Sequence, residues 1–173
     1  LKLGDRIMIM HDGKIAQIGT AEDILTEPAD DYVYEFVRDA SPAKVLTASS
    51  IMQEPEVLLY AWEGPNTAIH MLQANKREAA FVVDKTRKLL GVATIERLKP
   101  LASEKRKNAK IPPEAIRGVP TVREDSYIEE LFSIVNANPY PIPVTDESGK
   151  LLGVVKTDTI FETIKSDEEE KHD

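Results

Sequence analysis

The sequence of 173 residues contains no cysteine, which excludes a disulfide framework and any thiolate metal site and suits a reducing compartment such as the cytoplasm. Its three histidines, His11, His70 and His172, are far apart, and this spacing favours neither a metal site nor a nucleophilic site. No apolar run approaches the roughly 18 residues of a membrane-spanning helix, and the opening LKLGDRIMIM lacks the pattern of a signal peptide. We therefore expect this chain to stay in water.

A phosphate-binding loop of the form G-x-x-x-x-G-K-[ST] is also absent, and no glycine-rich substitute for it occurs. ATP hydrolysis needs such a loop together with an acidic residue for Mg²⁺ and water. The sequence therefore predicts no catalytic residue, no metal ion and no required cofactor. An independent nucleotide-dependent enzyme is disfavoured.

Basic residues are in the minority, with 22 Lys and Arg against 30 Asp and Glu and a formal net charge of −8. Nonspecific nucleic-acid binding depends on a basic face, so we expect no nucleic-acid partner. One basic cluster does occur, at Lys105, Arg106, Lys107 and Lys110, and residues 165–173 form an acidic tail. These segments are either a solvated loop and a frayed end, or an ionic-strength sensor whose cations bind anionic lipid until salt screens the attraction.

An internal repeat organises most of the chain. The segments VVDKTRKLLGV at 82–92 and VTDESGKLLGV at 144–154 share the pattern V-x-D-x-x-x-K-L-L-G-V at an offset of 62 residues. The same ungapped offset pairs Val57 with Val119 and Glu63 with Asp125, and it aligns Ile69 and Leu72 with Leu131 and Ile134.

Each repeat is predicted to form one β-α-β-β-α unit, because apolar residues at helical spacing precede two β-rich runs that flank a turn. Since one unit has too little core to be stable alone, the two should pack together with pseudo-twofold symmetry in an α/β (α+β) fold. The predicted helices are 67–73, 95–98, 128–135 and 157–164, and the predicted strands are 80–83, 89–94, 142–145 and 151–156.

The first 37 residues do not belong to the repeat. Asp12-Gly13 predicts a hairpin turn between two strands, and Thr20 to Asp23 resembles a capping box that opens a helix. Residues 31–37 predict another helix, with Tyr32, Val33 and Phe36 as its apolar face. These elements are too few to fold alone, so we interpret them as the end of a larger domain, on which Ile7, Ile9, Ile15 and Ile18 would pack.

The repeat resembles the CBS domain, a module that occurs in tandem pairs with a cleft between two sheets. The residues that carry the resemblance are Asp84 with Gly91-Val92 and Asp146 with Gly153-Val154, and it covers about residues 51–164. The opening segment, L-G-D-R-I-x-I-M-x-D-G-K-I-x-Q-I-G-T, is similar to the end of an ABC-transporter ATPase domain.

This order of parts is similar to the ATP-binding subunit of glycine betaine/proline or carnitine/choline importers. It implies a transport ATPase as the full-length subunit, a peripheral position on the cytoplasmic face of a bacterial membrane, and, as partners, a second copy, the ATPase domain and the membrane subunits. The predicted organisation is an ATPase remnant at 1–37, a linker at 38–50, the first repeat at 51–98, a basic connector at 99–118, the second repeat at 119–164 and the acidic tail at 165–173.

The resemblance to CBS pairs implies an adenosine-nucleotide site in which a G-x-x-[TS]-x-x-D segment holds the phosphate and the ribose. This sequence has Thr94 but Arg97 in place of the carboxylate in the first repeat, and Lys156 in the second, where Asp158 lies one position early and fits a helix cap better. Cations pair with phosphates, so the resemblance implies cyclic di-AMP rather than ordinary ATP or AMP. The expected ligand-binding residues are Ala80, Phe81, Val82, Thr94, Arg97, Ile142, Pro143, Val144, Lys156, Thr157 and Asp158.

Two functions stay open at this point. The chain is either a regulatory module that senses a cytoplasmic signal, such as cyclic di-AMP or ionic strength, or a structural module that dimerises the ATPase subunits and binds no small molecule.

Overall fold

The computed structural model describes residues 6–38, 40–102, 110–135 and 138–169, whose strands form three sheets with the orders β1-β2, β3-β4-β5-β6 and β7-β8-β9. The strands are β1 Ile7–His11, β2 Lys14–Gly19, β3 Leu58–Tyr60, β4 Ala79–Val83, β5 Leu89–Thr94, β6 Ile116–Arg117, β7 Val122–Arg123, β8 Ile142–Thr145 and β9 Leu151–Val155. The α-helices are α1 Ala21–Thr26, α2 Asp31–Val37, α3 Ala48–Ile51, α4 Pro65–Ala74, α5 Ile95–Leu98, α6 Ile128–Val135 and α7 Thr157–Glu169. Across these described ranges, every helix is too short or too polar to cross a membrane.

The N-terminal hairpin has the predicted turn and is followed by the predicted helices. Asp12 and Gly13 both have positive φ, of 50° and 73°, as a two-residue hairpin turn requires. The capping box also forms, because Thr20 N–H donates to Asp23 Oδ2 at 2.8 Å and Asp23 N–H donates to Thr20 Oγ1 at 3.0 Å. The side chain of Asp30 caps α2 by accepting a hydrogen bond from the Val33 N–H at 2.8 Å.

The apolar face predicted for α2 is only partly correct. Val33 is buried in a small cluster with Ile9 and Ile24, whereas Tyr32 and Phe36 are exposed. A helix of two turns can turn only a narrow stripe toward one hairpin. Tyr32 lies at the edge of that stripe and stacks on the His11 ring of β1, with ring centroids 3.7 Å apart. Of the four isoleucines expected to face a larger domain, Ile9 is buried here, and Ile7, Ile15 and Ile18 are exposed.

Each repeat contains the predicted β-α-β-β-α unit. In the first, β3 pairs parallel with β4, and β4 pairs antiparallel with β5; in the second, β7, β8 and β9 repeat this arrangement. The turns between the last two strands match closely. The Asp84 carboxylate accepts hydrogen bonds from the N–H groups two and four residues later and from the Thr86 hydroxyl, and Asp146 makes the same three bonds with its own turn and Ser148.

The ungapped offset of 62 is wrong for the first strand and helix of the repeats. Val82 pairs with Leu59, while the equivalent Val144 pairs with Val122, so these strands correspond at an offset of 63. The buried helix positions also follow 63, with Ala68 matching Leu131. One additional residue between α4 and β4 explains the change. The predicted pairs Val57–Val119, Glu63–Asp125, Ile69–Leu131 and Leu72–Ile134 are therefore each one residue out of register.

Each sheet is extended by a segment that precedes the other repeat. Gln53 exchanges backbone hydrogen bonds of 2.9 and 2.8 Å with Val154 of the second sheet, and β6 pairs with β5 of the first. The segments predicted as linkers thus contain ordered elements. Helix α3 packs in the core of the second repeat, and Ile111 and Ala115 pack in the core of the first.

The two sheets face one another, which confirms the tandem arrangement. A shared apolar cluster joins them through Phe81, Val83 and Val92 of the first repeat and Leu151 and Val154 of the second. At the hairpin ends, the Leu89 N–H donates to the Gly149 carbonyl at 3.0 Å and the Leu151 N–H donates to the Arg87 carbonyl at 2.9 Å. These two hydrogen bonds are related by the offset of 62 and therefore by the pseudo-twofold axis.

Candidate functional site

A cleft of about 620 Å³ lies between the repeats. Its floor is apolar and belongs to the cluster that joins the two sheets, with Phe81, Val92 and Val154 almost fully buried. Its walls come from residues 77–79 at the start of β4 and residues 139–141 before β8, which correspond at the offset of 62. The charged residues that line it are Glu56, Arg77, Glu78, Lys156 and Asp158.

An ion-pair triad connects the two repeats at this cleft. Glu56 Oε1 lies 2.9 Å from Lys156 Nζ, and Glu56 Oε2 contacts Arg77 Nη2. Hydrogen bonds from Lys156 and then from Arg77 hold the pKa of the Glu56 carboxyl below its ordinary value. All three side chains reach solvent, with 40–52% of each exposed, so the pairs can exchange with a soluble ion.

Local structure explains how the triad is assembled. Arg77 ends a Schellman motif after α4, in which Lys76 takes a φ of 54° and the Arg77 N–H donates to the Leu72 carbonyl at 2.9 Å. Lys156 follows the last residue of β9. Glu56 follows Gln53, whose backbone bonds to Val154 hold this segment beside the second repeat.

The structure brings together five of the residues expected to bind ligand. Ala80, Phe81, Lys156, Thr157 and Asp158 all line the cleft. Asp158 lies in the first turn of α7, where its carboxylate favours the positive end of the helix, rather than at the preceding cap position.

The other six expected residues lie elsewhere. Val82 points into the core of the first repeat, Ile142 and Val144 into the core of the second, and Pro143 is buried between them in β8. Thr94 caps α5 by accepting from the Arg97 N–H at 3.3 Å, and Arg97 Nη1 donates to the Glu114 carbonyl at 3.4 Å. Neither Thr94 nor Arg97 lines this cleft.

Three residues that line the cleft were not predicted from the sequence: Glu56, Arg77 and Tyr140. Glu56 lies just before β3 and meets Lys156 only through the tertiary fold, so no local pattern marks it. Arg77 lies two residues before β4. The residues Asn75-Lys76 at the end of α4 could have suggested a Schellman turn, which would place Arg77 directly after the helix. Tyr60 and Trp62 stack on each other with ring centroids 4.4 Å apart.

The proposed ionic-strength sensor is largely untested by the structure. Lys105, Arg106, Lys107 and residues 170–173 of the acidic tail lie outside the described residues. Lys110 is described and exposed. In the described ranges, no three His, Cys, Asp or Glu side chains are grouped so that they could hold a metal ion.

Comparisons with known proteins agree with the fold. The CBS domain model matches residues 114–166. The glycine betaine/carnitine transport ATP-binding protein GbuA of Listeria monocytogenes is 33% identical over 168 residues, covering 97% of this chain and 42% of GbuA. The glycine betaine transport ATP-binding protein OpuAA of Bacillus subtilis is 37% identical over 155 residues, covering 90% of this chain and 36% of OpuAA.

Among solved structures, CbpB in complex with c-di-AMP has a TM-score of 0.63 at 16% identity, and the match covers 74% of this chain and 90% of CbpB. That likeness shows a shared fold. The chain spans less than half the length of the two transport subunits that it matches. The chain therefore contains a CBS domain at residues 114–166, and over most of its length it is similar to the ATP-binding subunits of glycine betaine transport.

Proposed function

We propose that this chain is the regulatory module of an osmoprotectant importer and that it binds a nucleotide with two phosphates, cyclic di-AMP above all, in the cleft between its repeats. The observation that carries the proposal is the combination of an apolar floor with Arg77 and Lys156 at one rim. A purine ring can pack on Phe81 and Val154, and a phosphate can accept charge-assisted hydrogen bonds from the two cations.

The ligand would contact both repeats at once. Arg77 and Ala80 belong to the first repeat and Lys156 to the second, so the free energy of binding depends on how the repeats are placed. A ligand that binds two arrangements unequally shifts the population between them. This is how a nucleotide would alter an attached ATPase domain in the complete subunit.

Relatives support the transport context. The names of GbuA and OpuAA describe ATP-binding subunits of glycine betaine transport. We infer the same setting here: a peripheral subunit on the cytoplasmic face of the membrane, with the membrane subunits, an ATPase domain and a second copy of the chain as partners.

Calorimetric titration of the purified chain with cyclic di-AMP, ATP and AMP tests the proposal. We expect saturable heat with cyclic di-AMP and much weaker binding of the other two. If none of the three binds while the chain is folded and dimeric, the module has a structural role in dimerisation and the ligand proposal is wrong.

A further inference from the structure

Glu56 occupies the position that an anionic ligand would need. Both cations at the rim already form ion pairs, and both pairs are made with this one carboxylate. A phosphate that approached Arg77 and Lys156 would meet donors that Glu56 has engaged. The triad has two positive groups and one negative group, so it offers an incoming anion a smaller net positive charge than the two cations alone.

The pseudo-twofold axis shows that this arrangement is specific to one end of the cleft. The Gln53–Val154 pair corresponds to the Arg117–Val92 pair, and the first strands correspond at an offset of 63, so the position equivalent to Glu56 falls at Val119 or Pro120, neither of which is charged. Thr94 is equivalent to Lys156 and Pro139 to Arg77 at the offset of 62. The shared backbone therefore does not require the triad, since all three charges are missing from the equivalent positions.

We propose that Glu56 is a built-in counter-ion that a ligand phosphate must displace from Arg77 and Lys156. Glu56 then sets the affinity of the cleft and excludes anions too weakly charged to compete for both cations. This inference rests on the proposed function for its biological ligand, although the exchange itself concerns any phosphate.

Displacement would also change the contact between the repeats. Glu56 is held beside the second repeat through the backbone bonds of Gln53 to Val154, and its ion pair with Arg77 reaches the first. When a phosphate replaces the carboxylate, the link from Arg77 to Glu56 is broken and a link through the ligand forms. The ligand thus exchanges one connection between the repeats for another.

The test compares Glu56→Gln with Glu78→Gln. Glu78 lines the same cleft, so its amide variant removes the same unit of charge without releasing the triad. In calorimetry with cyclic di-AMP, we expect Glu56→Gln to tighten binding about two- to fivefold, the range that corresponds to an exposed ion pair. Glu78→Gln should tighten binding less. The affinity for cyclic di-AMP should fall more steeply with added salt only in Glu56→Gln.

Weaker or unchanged binding by Glu56→Gln would overturn the inference; weaker binding would indicate that the carboxylate accepts hydrogen bonds from the ligand, for example from ribose hydroxyls. Equal tightening by both variants would show that only the net charge of the cleft matters, and this would also overturn the inference.

A second measurement separates this inference from the proposed function. Inorganic pyrophosphate is titrated into both proteins while the NMR signals of the Arg77 and Lys156 side chains are followed. We expect these signals to shift at lower pyrophosphate concentration in Glu56→Gln than in the unaltered chain. If no nucleotide binds but this difference is found, the proposed function fails and the counter-ion stands; if the difference is missing, the counter-ion fails by itself.

Discussion

The two repeats have nearly the same backbone but differ at the cleft. Their turns make the same hydrogen bonds through Asp84 and Asp146, and their hairpin ends pair symmetrically. At the cleft, however, the triad of Glu56, Arg77 and Lys156 has no charged counterpart at the related positions. The comparison indicates that the turn and strand residues which the repeats share maintain the fold, while the charges at one end of the cleft serve the anion binding that we propose.

The largest effect expected from breaking the shared backbone is at Gly91. A Cβ there would lie 2.3 Å from the Arg117 carbonyl oxygen, and its φ of 142° disfavours any side chain. We expect Gly91→Ala to separate β6 from β5 and to lower the free energy of unfolding by about 2 kcal/mol or more. Chemical denaturation measures this change.

Gly153→Ala is the matched control in the second repeat. Its Cβ would lie 3.0 Å from the Gln53 carbonyl oxygen and 3.1 Å from the flexible Met52 side chain, and no positive φ is required. We expect a loss of about 1 kcal/mol. Equal losses in the two variants would contradict the closer approach of the neighbouring backbone at Gly91.

A smaller effect is expected at the hairpin turns. Gly149 has a φ of 80° and the equivalent Arg87 a φ of 69°, so both residues take the left-handed conformation. Gly149→Ala should lower the free energy of unfolding by about 1 kcal/mol because a side chain is strained there. Arg87→Gly should cost less, since relief of that strain offsets the lost ion pair with Glu54. Thermal unfolding of both variants shows whether this order holds.

The smallest effect concerns pH. Hydrogen bonds from Thr86 and the turn backbone lower the pKa of Asp84, and hydrogen bonds from Ser148 and the turn backbone lower the pKa of Asp146. A folded pKa below the unfolded one gives stability that is present at neutral pH and is lost as pH falls through the folded pKa. We expect Asp84→Asn and Asp146→Asn each to flatten the acid side of the stability profile to a similar extent. Denaturation at a series of pH values checks this; a response in only one repeat would break the comparison.

The sequence predicted the elements whose causes are local. The bounds of α5, α6, β5 and β8 agree with the predicted ones because the apolar residues follow helical spacing in the two helices and form a nearly continuous run in the two strands. The turn at Asp12-Gly13 and the capping box at Thr20 depend on neighbouring residues alone, and both form as expected.

The long-range features were not accessible from local patterns. Gln53 precedes the first sheet in the chain but pairs with the second, and Ile116–Arg117 precedes the second sheet but pairs with the first. Such short segments have no periodicity that would signal their partners. The triad depends on that exchange, because it carries Glu56 to Lys156, 100 residues away. Motif reasoning found Lys156 but paired it with Arg97, which the fold places near Glu114 instead.

The most direct test of the central claim is the affinity of cyclic di-AMP for Lys156→Gln and Arg97→Gln, measured beside the unaltered chain. Both variants lose one positive charge from an exposed or half-exposed side chain, and circular dichroism is used to check that each variant is folded. The account predicts binding about tenfold weaker for Lys156→Gln, since a charge-assisted hydrogen bond is lost, and a change of less than about twofold for Arg97→Gln. Loss of binding in Arg97→Gln with full binding in Lys156→Gln would contradict the account and place the ligand elsewhere.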